Sequence, residues 1–280
     1  MMRIVKFKLS DDVGEASKLG LVTGDTVHDL SGSFADIDNL LTEALVPVVP
    51  APDAPTYDLK EITYLPPIAA TARIFCVGLN YATHAVEAGR DLPARPSIFF
   101  RLHSAQVGHG TPVICPASSE QFDFEGELAV IIGRGGRHIP EVDAMSHVGG
   151  YTCFAENSAR DWQRHAAQVT AGKNFDSSGA AGPCLVTCED APAPEEMVLT
   201  TRLNGEIMQQ DSPANLVFSI AKLISYISAF AALRPGDVIV TGSPEGVGAS
   251  RTPPIWMKPG DILEVEITGI GILRNTVAAE

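Results

Sequence analysis

DFEGELAVIIGR, residues 123–134, is the stretch on which the fold turns. Leu128 to Ile132 is an unbroken apolar run closed by Gly133, too short for a typical helix and rich in β-branched residues. It reads as a strand buried on both faces. Two carboxylates, Glu125 and Glu127, precede that run with one glycine between them. Side chains two apart on a strand share a face, so both acids point the same way at the rim of a core. Adjacent like charges there are costly unless something neutralises them. A divalent cation does so, and an all-oxygen donor set suits Mg²⁺, Mn²⁺ or Ca²⁺ better than Zn²⁺. The competing reading is a solvated strand end, which the flanking apolar run disfavours.

Short strands recur outward from this segment. Arg3–Lys8, Leu19–Val22, Thr26–Leu30, Ile74–Val77, Ile98–Phe100, Gly150–Phe154, Val238–Thr241 and Ile262–Ile267 have strand character, with a tight turn at Thr23-Gly24-Asp25. Helical periodicity is sparse: residues 34–46, a start near Tyr81 ending at Gly89, Ala159–Gln168, and Phe218–Phe230. Many short strands, few helices and 25 glycines predict a β-rich α+β fold. The Pro- and Ala-rich tract Val46–Tyr57 marks a change of texture. It divides a small N-terminal domain, 1–68, from a larger domain, 69–280.

The composition bounds the function. With 45% apolar and 19% charged residues the 280-residue chain can bury a real core. A formal net charge of −14 argues against nucleic acid and anionic membranes as partners. The apolar stretch Leu216–Leu233 is interrupted by Ser, Lys and Tyr, and MMRIVKFKLS lacks an apolar signal core, so a cytoplasmic protein is expected. Five irregularly spaced cysteines predict free thiols rather than a disulfide framework.

Three further groups carry candidate chemistry. His84 and Glu87 lie three apart on the expected helix and share a face. A carboxylate beside an imidazole fixes its tautomer and makes a general base, against the plainer reading of a surface pair. In ENSARD, residues 156–161, Ser158 is placed to cap the next helix, with Asp161 completing a capping-box-like start. Lys173, in the Gly-containing segment AGKNF, can hold a substrate carboxylate or be a solvated loop lysine. After a strand, TGSPEGVG (241–248) offers backbone N–H groups and the Thr241 hydroxyl to a pocket. It is not a phosphate loop, and no G-x-S-x-G nucleophile motif occurs.

VGLNYATHAVEAG (77–89), DFEGELAVIIGR (123–134), GGYTCFAENSARDWQ (149–163), AGKNFD (171–176) and PGDVIVTGSPEGVG (235–248), in this order, resemble the fumarylacetoacetate hydrolase superfamily from about Arg73 to Ala278. GLVTGDTVHDLS (20–31) resembles the small N-terminal domain of many members. The resemblance implies a mixed β-sandwich or roll, a homodimer, and Mg²⁺ or Mn²⁺ on Glu125, Glu127 and Glu156. It implies a water-activating dyad of His84 and Glu87, and substrate or oxyanion contacts from Lys173, Gln163 and Thr241. Glu156 stands where the family usually has Asp, which leaves open a shifted ion, bidentate binding or a larger cation such as Ca²⁺. Arg101 stands where Lys is common among substrate-binding positions. The expected activity is hydrolysis of a C–C bond in a small 2-oxo or β-diketo acid, an acylpyruvate or a 2,4-diketo-3-deoxy sugar acid. The alternatives are oxaloacetate-type decarboxylation or keto–enol isomerisation on the same metal site, and a catalytically weak metal-binding protein.

Overall fold

The computed structural model describes residues 2–9, 16–43, 48–87 and 89–280. The Gly126–Ile132 strand lies near the middle of a large mixed sheet, fully buried as its sequence requires. It pairs antiparallel with Val148–Ala155 on one side and with Val238–Val240 on the other. The sheet continues through Ile74–Gly78, parallel to Val238–Val240, to Ser97–Arg101 at one edge. In the other direction it runs through Gly179–Thr187 to Arg3–Leu9, Lys18–Thr23, Thr26–Asp29 and Thr56–Asp58. A second sheet packs Glu206–Asp211, Leu199–Leu203, Ile262–Ile267, Gly271–Ala279 and Val113–Cys115 side by side. The chain is β-rich α+β with mixed sheets, as expected.

Two cores explain why the central run is apolar without alternation. Leu128, Val130 and Ile132 face a core shared with Leu199, Val265, Leu273 and the helix Ile220–Phe230. Ala129 and Ile131 face the opposite core, with Phe154, Val240 and Ile74 from the sheet and Leu30, Ile37 and Leu40 from the N-terminal segment. Burying each of the Leu, Ile and Val side chains contributes about 1.5–3 kcal/mol, so both faces hold the strand in place.

The N-terminal segment docks by sheet extension. Arg3 and Ile4 pair with Val186 and Leu185. The expected turn at Thr23-Gly24-Asp25 joins Lys18–Thr23 to Thr26–Asp29, with Gly24 at φ 61° as a two-residue hairpin loop requires. The first expected helix is observed as Ile37–Glu43; residues 44–46 of that expectation lie outside the described residues.

One helical expectation is corrected. Ala159–Gln168 is not one helix but a turn at Arg160–Gln163, followed by a second turn at Thr170–Lys173. The second folds back onto the first: a Cβ on Gly172 would meet the Gln163 backbone nitrogen at 2.5 Å. Lys173 therefore ends a helical turn rather than sitting in a loop. Nor does Ser158 cap the first turn, whose N-cap is Ala159 without a side-chain bond. The five cysteines are free thiols, as expected. No described helix is long and apolar enough to cross a membrane.

Candidate metal centre and active site

Sheet register assembles the site. Gly126 pairs with Ala155 and Glu127 with Phe154, so Glu125 lies opposite Glu156, whose N–H donates to the Glu125 carbonyl at 2.8 Å. Residues opposite one another, and those two apart, share a face. Glu125, Glu127 and Glu156 consequently converge, all buried, with one carboxylate oxygen from each within 4.8 Å of the others.

Positive groups surround the trio. Lys173 Nζ lies 2.7 Å from Glu125 Oε1 and 2.6 Å from Glu156 Oε2. Arg160 Nη2 lies 3.1 Å from Glu125 Oε1, while its Nε donates to Asp123 Oδ2 at 2.8 Å and its Nη1 to Gln163 Oε1 at 3.0 Å. Ser158 Oγ donates to Glu125. Arg101 is buried behind Glu156, with Nη1 3.9 Å from Glu156 Oε1 and donating to the Asn157 carbonyl at 2.8 Å. Fully ionised, four carboxylates against three basic side chains would leave this buried cluster one negative charge in excess.

The protonation tendencies follow. Burial, then the neighbouring Glu156 and Glu125 charges, push Glu127 well above the usual carboxylate range, against Lys173 and the Gly242 N–H. For Glu125, burial is outweighed by Arg160, Lys173 and His84, which hold it low. The residues fit a hard dication. Glu156 Oε1 is buried without a hydrogen-bond partner, and the donors are all oxygens. The three carboxylates are close enough for a single ion to draw on an oxygen from each. A dication would turn the excess into one positive charge, suited to an anionic substrate.

His84 and Glu87 lie on the Ala82–Glu87 helix, with His84 Nδ1 3.3 Å from Glu87 Oε2. The other Glu87 oxygen accepts the Gly246 N–H at 2.9 Å. Burial alone would raise Glu87, but the bonds from His84 and Gly246 hold it below its usual value. Bound at Nδ1, the imidazole leaves Nε2 for proton transfer. Thr241 is fully buried and its hydroxyl donates to the Leu128 carbonyl at 3.0 Å. Gln163 is half-buried beside Arg160.

Sequence reasoning missed Asp123 and Arg160 as site residues, and although it singled out the N–H groups of the 241–248 loop it did not foresee that they bind the acids. Gly242 N–H donates to Glu127 at 2.6 Å, and Gly248 and Ala249 N–H groups donate to Asp123 at 2.7 and 3.1 Å. Arg160 stood in view within ENSARD, but that run reads equally well as a helix start. A surface cleft of about 380 Å³, lined by Asp38, Thr71 and Arg234 among others, shares no residue with this cluster.

Residues 73–278 match the model of the fumarylacetoacetate (FAA) hydrolase C-terminal domain. The chain belongs to the fumarylacetoacetate hydrolase family. It is 38% identical, over 99% of its length and 91% of the relative's, to the mitochondrial oxaloacetate tautomerase FAHD2A of Bos taurus. It superposes with a TM-score of 0.86 and 30% identity, over the whole of both chains, on a fumarylacetoacetate hydrolase from Exiguobacterium antarcticum. It likewise resembles a maleylpyruvate hydrolase from Sphingobium sp. SYK-6 in complex with manganese(II) and pyruvate. That match has a TM-score of 0.79 and 25% identity over 99% of each chain. The relatives and neighbours thus include hydrolases and tautomerases, one of them in complex with manganese(II), and the acidic trio here is a candidate divalent-cation site.

Proposed function

We propose that this chain is a divalent-cation-dependent tautomerase that interconverts the keto and enol forms of a small 2-oxo dicarboxylic acid of the oxaloacetate class. The observation that carries this is the buried convergence of Glu125, Glu127 and Glu156, with the His84–Glu87 pair close enough for His84 to help hold Glu125 low. Likeness to an oxaloacetate tautomerase over nearly the whole chain supports the choice of reaction.

Glu125, Glu127 and Glu156 would hold Mg²⁺ or Mn²⁺, with Ca²⁺ as a further candidate. Bound there, the cation supplies Lewis-acid polarisation of the 2-oxo group and stabilises negative charge on its oxygen. Glu87 holds the imidazole of His84 through Nδ1, and His84 Nε2 takes the proton from C3. The 2-oxo oxygen takes a proton from solvent to complete the enol; in ketonisation the enol O–H loses its proton to solvent as His84 returns one to C3. Lys173, freed from Glu125 and Glu156 when their charge is otherwise neutralised, holds a substrate carboxylate with Arg160 and Gln163. Thr241 shapes the floor, and Arg101 reaches the substrate only through Glu156. The 1–68 and 69–280 division, a homodimer and a cytoplasmic location complete the proposal, although the Bos taurus relative is named as mitochondrial.

A second reading keeps the hydrolase. The same His84–Glu87 pair can deprotonate water, which would then attack the distal carbonyl of an acylpyruvate. Decarboxylation of oxaloacetate would use the same cation and no attacking water. Product analysis on oxaloacetate and an acylpyruvate decides among them. Tautomerisation yields neither CO₂ nor a second acid. Decarboxylation yields CO₂, and hydrolysis yields two acids. A tight metal site with no turnover on any 2-oxo acid would point to a metal-binding protein instead.

A further inference from the structure

We infer that Gln209, on the second sheet, is the positioning residue that sets the geometry of the cation site, an inference that rests on the metal reading of the glutamate trio. Gln209 is 1% exposed, in the Glu206–Asp211 strand. Its Oε1 accepts the Gly126 N–H at 2.9 Å. Its Nε2 donates to Ser243 Oγ at 2.7 Å and to the Pro244 carbonyl at 2.8 Å. One amide thereby joins the residue between Glu125 and Glu127 to the loop 241–249.

The need for this bond arises from where a strand stops. Val238–Val240 pairs with Ala129–Ile131 and ends, Thr241 N–H making the last contact to the Leu128 carbonyl at 3.0 Å. On an antiparallel edge, every second residue presents its N–H and C=O to the same neighbour. Gly126 is the next such position after Leu128, and no strand among the described residues reaches it there. A buried N–H without an acceptor is costly, and the Gln209 carbonyl takes the place of the missing strand. The second sheet can come this close because residue 126 is glycine: a Cβ there would lie 2.0 Å from Thr201 Oγ1.

The loop at the other end of the amide orients three acids of the site. Gly242 binds Glu127, Gly246 binds Glu87, and Gly248 and Ala249 bind Asp123, which holds Arg160. Gly242 takes φ 109°, a conformation other residues avoid. Gln209 therefore fixes the spacing between the backbone that carries Glu125 and Glu127 and the N–H groups that aim Glu127 and Glu87. Only a carboxamide serves here. Glutamate keeps the acceptor for Gly126 but cannot donate to Ser243 and Pro244, and leucine does neither.

The test compares Gln209→Leu and Gln209→Glu with Asn275→Leu in the full-length protein. Asn275 is a buried amide with two backbone bonds, to the Gly108 and Thr111 carbonyls, neither of which belongs to the site. Mn²⁺ affinity is measured by calorimetry and metal-free melting by circular dichroism. Gln209→Leu is expected to raise the Mn²⁺ Kd by about 10–100-fold, the usual effect of losing a group that orients metal ligands. Asn275→Leu should lower the melting temperature while leaving Kd within about twofold, well below that range. Should Gln209→Leu not fold, Gln209→Glu, which preserves shape and the Gly126 bond, carries the test with a rise of at least about tenfold. Both Gln209 variants binding Mn²⁺ like wild type, with melting lowered as in Asn275→Leu, would reduce Gln209 to a packing role. Wild-type binding that Glu127→Gln leaves unchanged would instead remove the metal reading itself, and this inference with it.

Discussion

Lys173 Nζ lies 2.6 Å from Glu156 Oε2, and the same ammonium is 2.7 Å from Glu125 Oε1. Without a cation the lysine bridges two of the three carboxylates that would bind one. It is therefore both a counter-ion for the site and a competitor for its ligands. Lys173→Met is expected to bind Mn²⁺ as tightly as wild type or more tightly, because the competing charge is gone. It should lose roughly 10²-fold or more in kcat/KM, because a buried charged contact to substrate is worth several kcal/mol. Calorimetry with Mn²⁺ alongside steady-state rates separates the two effects.

Glu127 is buried among like charges, with Gly242 N–H and nearby Lys173 as partial compensation. Glu127→Gln removes the cost of keeping an ionisable carboxyl buried among them. The metal-free variant should melt a few degrees above metal-free wild type. It should also lose the stabilisation that Mn²⁺ confers on wild type, which grows as RT ln(1 + [L]/Kd). Melting curves with and without Mn²⁺ check both signs.

His84→Ala should lower kcat by about 10²–10⁴-fold, the usual share of a general acid–base group, with Mn²⁺ affinity little changed. Glu87→Gln should cost less, since the imidazole remains but loses its orienting carboxylate. Unchanged turnover in His84→Ala would remove the pair from the chemistry.

Glu87 also predicts a pH effect. Its folded pKa is lowered, so its ionised form favours the folded state. That contribution is fully present above the unfolded value of about 4.3 and is lost as pH falls through the folded value. Wild type should be more stable than Glu87→Gln at pH 7, and the gap should close toward pH 3. Urea midpoints at the two pH values measure it.

The segment 69–280 is expected not to fold alone. Removing residues 1–68 strips Arg3 and Ile4 from the edge of Gly179–Thr187 and takes Leu30, Ile37 and Leu40 from a core shared with Ala129 and Ile131. A strand opened along one edge and an exposed apolar face favour aggregation. Gel filtration of the expressed fragment should give aggregate, not a monomer or dimer.

What could be read from the residues was local. Glu125 and Glu127 share a face by strand periodicity alone, and LAVII announces a strand buried on both sides. Glu156 could not be placed that way, because its position opposite Glu125 is a matter of register between strands some 30 residues apart. Only the family resemblance supplied it. Ser158 and Arg160 were ambiguous because capping residues and ligand-orienting residues draw on the same polar side chains. Gln209 was invisible, since its partners Gly126 and Pro244 are brought to it by the packing of two sheets. The strands Gly179–Thr187 and Gly271–Ala279 were not expected, and their small residues carry weak strand signals.

The most direct test follows freshly dissolved enol-oxaloacetate by ultraviolet absorbance with metal-stripped protein, before and after adding Mn²⁺, for wild type and Glu127→Gln. Ketonisation should run at the spontaneous rate with stripped wild type, accelerate on reloading without release of CO₂, and stay spontaneous in Glu127→Gln. Acceleration that survives metal removal, or that Glu127→Gln retains in full, would contradict catalysis at the three-glutamate site.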